Sequence, residues 1–322
     1  MKRIVLLPAA CLLDALAGDP EWFPHPVRLI GLAISKGEIL LRRPDRSARC
    51  NLLAGAGITI GLTGGTYLLT NLAVKQSKRR SIQLGDAVEL LLAWTCLAAR
   101  NLRDEATAVI DALQAEDLPR ARLRLGRIVG RETAHLDAAE ISRAVVETVA
   151  ESASDGVIAP MFYLALGGAP LAMAYKAVNT LDSMIGHADS TYFYFGRCAA
   201  RLDDLANFIP ARLTALAIVA SAWLTGCDAA SSLRTWVRDG GKHKSPNAGQ
   251  PESAMAGALR VRLGGCNVYA GEVLCTPEMG GGFPTAQAAH ATKSVNILIA
   301  VTMLGLAAGI LMNLRRDTRW TR

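Results

Sequence analysis

The chain has 322 residues, 51% of them apolar and 20% charged, with a formal net charge of +7. That balance places it toward the membrane and away from the water-soluble classes. The basic residues are scattered between apolar segments without a recognition-helix pattern, which excludes a nucleic-acid partner and fits attraction to anionic lipid and anionic substrates.

In chain order, residues 1–18 pair a basic start with an apolar run and an Ala-x-Ala at Ala15–Ala17, as a secretory signal would. Asp14 interrupts the apolar run, so the segment is expected to be retained. Residues 52–74 carry no charge and are long enough to cross about 30 Å of hydrocarbon as a helix. Gly57, Gly61 and Gly65 repeat along it, as Gly305 and Gly309 do later, offering either a small-residue packing face or loose glycine usage. Residues 84–99, which include Asp86 and Glu89, read as an embedded segment, and 100–155 as an aqueous helical section rich in Ala, Leu, Arg and Glu. Residues 157–175 are apolar but interrupted by Pro160, Pro170 and Gly167-Gly168. The basic loops cannot all share one side under a five-span count, so this broken segment is the candidate re-entrant one. Residues 207–227 form another embedded segment, although they contain Arg212, and 228–293 read as ordered loops around one short helix. Residues 295–314 are free of charge and are followed by Arg315, Arg316, Arg319 and Arg322, a basic anchor at a lipid boundary. Alternating patterns are nearly absent, so the expectation is an all-α, multi-pass integral membrane protein with polar helical and loop sections, organised as one domain over 1–322. The seven cysteines form no C-x-x-C pair and read as reduced thiols.

Chemistry-bearing residues fall in four clusters. Asp14 and Asp19 precede His25, which prolines flank, and Arg28. This stretch reads equally as a helix end followed by a surface turn. On a helix from about residue 138, Glu140, Glu147, Glu151 and Asp155 would share one face with Arg143 among them. A solvated acidic face is one reading; the run into apolar 157–175 makes Mg²⁺ or an ammonium group the other. Glu132 and His135 lie just upstream. Lys176, Asn179 and Asp182 would project together from a third helix, with His187 beyond it, unless Lys176 is a snorkelling anchor. Lys244, Asn247 and Gln250 precede a helix from about Pro251 to Leu263, whose start would offer N–H groups to an anion beside Lys242, or would simply be a capped surface helix. No nucleotide-binding or hydrolase signature occurs.

Together GDPEWFPHPVRLIG, GRETAHLD, VVETVAESASDGVIAPMFYLALGGAPLAMAYKAVNTLDSMIGH, KSPNAGQPESAMAGAL and NVYAGE, in that order, resemble the CbiB/CobD adenosylcobinamide-phosphate synthases. The resemblance implies a multi-pass protein of the cytoplasmic membrane. Its reaction would join adenosylcobyric acid to (R)-1-aminopropan-2-ol phosphate or ethanolamine phosphate as an amide, consuming ATP with Mg²⁺. A homo-oligomer, or a complex with other enzymes of cobalamin assembly, is compatible with it. An unactivated carboxylate does not accept an amine at useful rates, so activation with Mg²⁺ over the developing charge is required. Asp14, Asp19, Glu147, Glu151, Asp155 and Asp182 are the candidate oxygen ligands. His25, His187 and Glu132 are the candidate bases for the amine. Arg28, Lys176, Asn179, Lys244, Asn247 and Gln250 are the candidate substrate and phosphate groups. A non-catalytic scaffold or transporter for corrinoid intermediates is the rival reading, which intramembrane charge and broken helices also suit.

Overall fold

A computed structural model describes residues 2–20, 22–43, 45, 47–187, 191–269 and 271–319, with only the backbone at 316–319. The side chains of Arg316 and Arg319, and all of Asp189 and Arg322, lie outside the described residues. Helices follow as α1 (Arg3–Ala17), α2 (Pro26–Leu41), α3 (Ala48–Arg80), α4 (Ile82–Trp94), α5 (Ala99–Gln114), α6 (Leu118–Leu125) and α7 (Ala138–Ser152). A π-helical stretch (Ala153–Ile158) then leads to α8 (Ala159–Gly167), α9 (Ala169–Ile185), α10 (Arg197–Leu224), α11 (Ala229–Asp239) and α12 (Gly249–Leu259). Strands β1 (Leu263–Tyr269) and β2 (Glu272–Met279) precede α13 (Ala288–Arg319).

The chain forms two compact units, the first from 1–98, 159–207 and 306–322, the second from 99–158 and 208–305. Among the described residues, four helical runs are long and apolar enough to cross a membrane: Ala48–Arg80, Ile82–Gln114, Arg197–Leu224 and Ala288–Arg315. They contain the charge-free segments at 52–74 and 295–314 and most of the weaker ones, so the expected helical, multi-pass architecture is borne out. The segment at 157–175 is different. It breaks at Gly168, whose φ of 71° favours glycine, into α8 and α9. Its nine-residue first half spans about 14 Å at 1.5 Å per residue and is too short to cross.

In the first unit, α1 packs on α4 and α8, and its Leu6, Leu7 and Ala10 are buried. Trp94 Nε1 donates to Gly18 O at 3.0 Å, and Arg3 donates to Leu166 O at 2.7 Å. The carboxylates of 84–99 have a cationic partner: Lys78 Nζ lies 2.6 Å from Glu89 and 3.7 Å from Asp86 across the α3–α4 corner. The glycine repeat divides by environment. A Cβ at residues 57, 61 or 65 would meet no other part of the structure within 4 Å, whereas one at Gly55 would run into the Phe195 backbone and one at Gly309 into Leu7.

In the second unit, α5, α6 and α7 pack together, and α12 packs on α11 and α7. The stretch read as loops contains an antiparallel hairpin, β1 with β2. Cys266 and Cys275 are cross-strand partners and form a disulfide, so the reduced-thiol expectation holds for Cys11, Cys50, Cys96, Cys198 and Cys227 and not for this pair. A register irregularity at Leu263/Gly265 turns Gly264 away from the ladder.

A Cβ at residue 55 would lie 1.8 Å from the Phe195 carbonyl oxygen. Gly55→Ala is therefore expected to lower the thermal unfolding midpoint in detergent, at a cost of about 1–3 kcal/mol, while Gly61→Ala leaves it unchanged.

Candidate functional site

In the first unit, α1 ends with buried Asp14 and the chain turns through Gly18, with φ 63°. His25 is the N-cap of α2: its Nδ1 accepts from Val27 N at 3.3 Å, and Pro26 takes the first helical position. With Nδ1 accepting, the proton of the neutral ring is assigned to Nε2, which faces Asp19 Oδ2 at 3.8 Å. The ring thus presents an N–H and not a lone pair, which fits orientation of Asp19 better than removal of a proton. Burial pushes His25 below the usual imidazole range, Asp19 opposes this, and Arg28 and Lys176 reinforce it. Arg28 and Lys176, which the sequence places in separate clusters, thus both lie within electrostatic range of the His25 ring.

From α9, Asn179 reaches Asp203 of α10, and Asp182 lies within electrostatic range of the same carboxylate. Asn207 Nδ2 donates to Asp203 at 3.0 Å, and Tyr175 Oη donates to Asn207 at 2.9 Å. Asp203 and Asn207 were missed because they lie at the start of a span. Their signal was present all the same: polar residues in an apolar helix need named partners. His187 is exposed, its ring 6.1 Å from that of Tyr192.

In the second unit, the acidic stripe does not act as one face. Glu140 closes a capping box with Asp137 at the start of α7. Glu147 is buried and receives Arg131 Nη2 at 2.5 Å, Arg143 Nη1 at 3.3 Å and Gly264 N at 2.8 Å. Asn267 Oδ1 accepts from both guanidiniums, at 2.6 and 2.9 Å, and Arg143 also donates to Gly264 O. A carboxylate neutralised this way is an ion-pair partner and a poor open ligand for a metal. Glu151 is exposed and Asp155 sits half-buried in the π-helical stretch. Among the described residues no three His, Cys, Asp or Glu side chains are grouped to hold a metal ion. The six expected oxygen ligands therefore do not fit a resident Mg²⁺ cage.

Glu132 is exposed and accepts from Gly271 N at 2.7 Å, tying its loop to the hairpin turn. The start of α12 is closed on itself: Ser245 Oγ accepts from Asn247 N and Ala248 N, and Gln250 N donates to Asn247 O. Gln250 is committed internally, accepting from Trp236 Nε1 and donating to Gly240 O and Pro246 O. Buried Asn247 accepts from Arg212 at 3.3 Å, and Lys242 pairs with buried Asp239 at 2.6 Å. Of this cluster, Lys244 remains an exposed cation, so the anion groups here are side chains and not the helix start.

Glu252, in the first turn of α12, was not singled out because an acidic residue at a helix start is ordinary. It is 7% exposed. Burial, with Glu151 and Glu147 adding like charge and Arg131 opposing them, holds it well above the usual carboxyl range.

Glu147→Ala strands two guanidiniums with little exposure and should cost roughly 3–5 kcal/mol in thermal unfolding. Glu252 binds its proton more tightly folded than unfolded, so stability should fall as pH rises from the ordinary carboxyl pKa through the raised one. Glu252→Gln is expected to flatten that slope in unfolding midpoints measured across pH.

The family described as "CobD/Cbib protein" matches residues 7–298. "Cobalamin biosynthesis protein CobD" of Geobacter metallireducens is 50% identical, covering 84% of this chain and 84% of its own. The protein of that name from Photorhabdus laumondii is 44% identical over 95% and 96%. "Cobalamin biosynthesis protein CbiB" of Salmonella arizonae is 41% identical over 92% and 93%. No solved structure matches. Matched along nearly its whole length by the family and by these relatives, the chain belongs to the CobD/CbiB family.

Proposed function

We propose that this chain is the adenosylcobinamide-phosphate synthase of cobalamin biosynthesis, an ATP-dependent amide-forming ligase of the cytoplasmic membrane. It would join the free propionate of adenosylcobyric acid to (R)-1-aminopropan-2-ol phosphate or ethanolamine phosphate. The observation that carries the reading is the family match over residues 7–298, together with relatives named for cobalamin biosynthesis.

The reaction has three physical requirements. The corrin carboxylate must gain a leaving group, because its resonance and negative charge repel a nucleophile; transfer of a phosphoryl or adenylyl group from ATP supplies one. Mg²⁺ enters as the counter-ion of the nucleotide phosphates, in keeping with its habit of retaining water and binding through substrate phosphates. The phosphates need cations, and Arg28 and Lys176, both within electrostatic range of His25 in the first unit, are the side chains offered for that role. The ammonium of the amino alcohol must lose a proton before nitrogen can attack the acyl carbon. Of the expected bases, His25 is engaged at Nδ1 as the cap of α2, whereas Glu132 is exposed and accepts from Gly271 through one of its two oxygens. The membrane spans favour a substrate as large and amphiphilic as a corrinoid, held where helices meet polar loops.

Purified protein in detergent, given adenosylcobyric acid, aminopropanol phosphate, ATP and Mg²⁺, should form adenosylcobinamide phosphate, followed by mass, and form none without nucleotide. Absence of product from folded protein would favour a scaffold or transporter. Lys176→Ala should raise the KM for the phosphate substrates about ten- to a hundredfold, the worth of one charge-assisted hydrogen bond.

A further inference from the structure

We propose that α11 is an interfacial helix, which beds Leu233 and Val237 at the acyl boundary of the bilayer and sets Arg234 and Arg238 against the phosphates of anionic lipid. This placement is independent of the ligase chemistry and adds a lipid-binding surface outside the spans.

For a helix that would face water, α11 is inverted. Its buried residues are polar: Ser231, Ser232, Thr235 and Asp239. The cause is the close approach of α12, where a Cβ at Gly257 would come within 2.4 Å of Ser231 O and 2.8 Å of Thr235 Cβ, so that only small side chains fit between the two helices. The polar groups of this face are satisfied in place, Ser232 Oγ donating to Ala254 O at 2.7 Å and Asp239 accepting from Gly280 N at 2.9 Å. The outer face carries Ala230, Leu233, Arg234, Val237 and Arg238, whose spacings of three and four residues align them along one side. Leu233 is 45% exposed and Val237 78%. An apolar stripe edged by arginines, on a helix of this length, is the pattern of an element lying in a membrane surface.

What covers that stripe follows from α10, whose residues 208–224 share a unit with α11. The 28 residues of α10 run about 42 Å at 1.5 Å per residue, more than the roughly 30 Å of hydrocarbon, so the helix reaches the headgroup level. Trp223 stands exposed in its last turn, the residue type enriched at that level. The chain then folds back on itself: Gly226 takes a φ of 70°, Cys227 N donates to Ala222 O at 2.8 Å, and Asp228 caps α11 by accepting from Ser231 N at 2.8 Å. The first turn of α11 is thereby held at the end of α10, where acyl chains give way to headgroups. The charges exposed on and beside the stripe are cationic. Arg234 is exposed, and Arg238 keeps 54% of its side chain in the open while holding Asp239 at 2.7 Å. The nearby acids are answered, Asp239 by Arg238 and Lys242, and Asp228 by Arg260 at 3.8 Å. The surface left over complements lipid phosphate.

The test uses full-length protein in nanodiscs of equal parts phosphatidylglycerol and phosphatidylcholine. One lipid or the other carries a photoactivatable diazirine near the glycerol end of an acyl chain, and adducts are mapped by peptide mass. Wild-type protein is expected to give adducts on residues 229–238 as well as on the span α13. At 229–238 the phosphatidylglycerol probe should be favoured about fivefold, the worth of one basic residue near the surface. Arg234→Gln should remove most of that preference and leave the α13 adducts unchanged, which also reports that the variant is folded and inserted. Adducts on α13 with none on 229–238 would overturn the proposal and give the stripe to a protein partner. A dimer cross-linked through 229–238 would overturn it in favour of a second copy of this chain. Equal yields from the two probes in the wild type, or a preference that Arg234→Gln does not move, would overturn the pairing of these arginines with lipid phosphate.

Discussion

The carboxylate of Glu147 organises the second unit. Two guanidiniums and a backbone N–H converge on it, and Asn267 bridges the guanidiniums from β1. A buried ion pair adds little net stability, because desolvation of both partners offsets their attraction; removing one partner is what costs heavily. The network therefore acts mainly on geometry. It fixes the loop at Arg131, the middle of α7 and the irregular start of the hairpin in one register, and Glu252 sits in the field this register creates. Were Arg131 displaced, the attraction opposing Glu151 and Glu147 would weaken and the buried carboxyl would hold its proton more tightly still.

The first unit solves a different problem. Its helices are largely apolar, and their polar groups are gathered where helices begin, end or cross. Lys78 answers Glu89 at the α3–α4 corner, and Trp94 answers the carbonyl of Gly18. Tyr175, Asn207 and Asp203 form a chain of donors and acceptors between α9 and α10. In hydrocarbon each such group left alone would cost several kcal/mol, so close pairing is a condition of insertion as much as of function.

The apolar spans were legible in the sequence because a run without charge over some 20 residues has few alternative readings. The break at 157–175 was legible for the same kind of local reason, since Gly167-Gly168 precedes Pro170. The hairpin was not, because β2 is exposed along most of its length and shows no alternation between a buried and a wet face. The acidic stripe was legible as a spacing and misleading as a site. Helical periodicity says which carboxylates share a face of α7, and says nothing of Arg131, Gly264 and Asn267 arriving from elsewhere to claim Glu147. Glu252 shows the opposite failure: a first-turn acid is buried, which no local pattern reports. Asp203 and Asn207 belong with it, because their partners Asn179 and Tyr175 lie on a different helix.

His25 carries a consequence for how α2 begins. Its Nδ1 is the side-chain cap of that helix, and a doubly protonated ring has no lone pair with which to accept from Val27. Arg28 and Lys176 already disfavour the second proton, so near neutrality the cap is secure. Stability held by the neutral ring is present above the usual imidazole pKa and is lost as acid forces the proton on. Acidification thus unlatches the first turn of α2 at the point where Asp19 and Arg28 are positioned, coupling the local proton concentration to the shape of that turn.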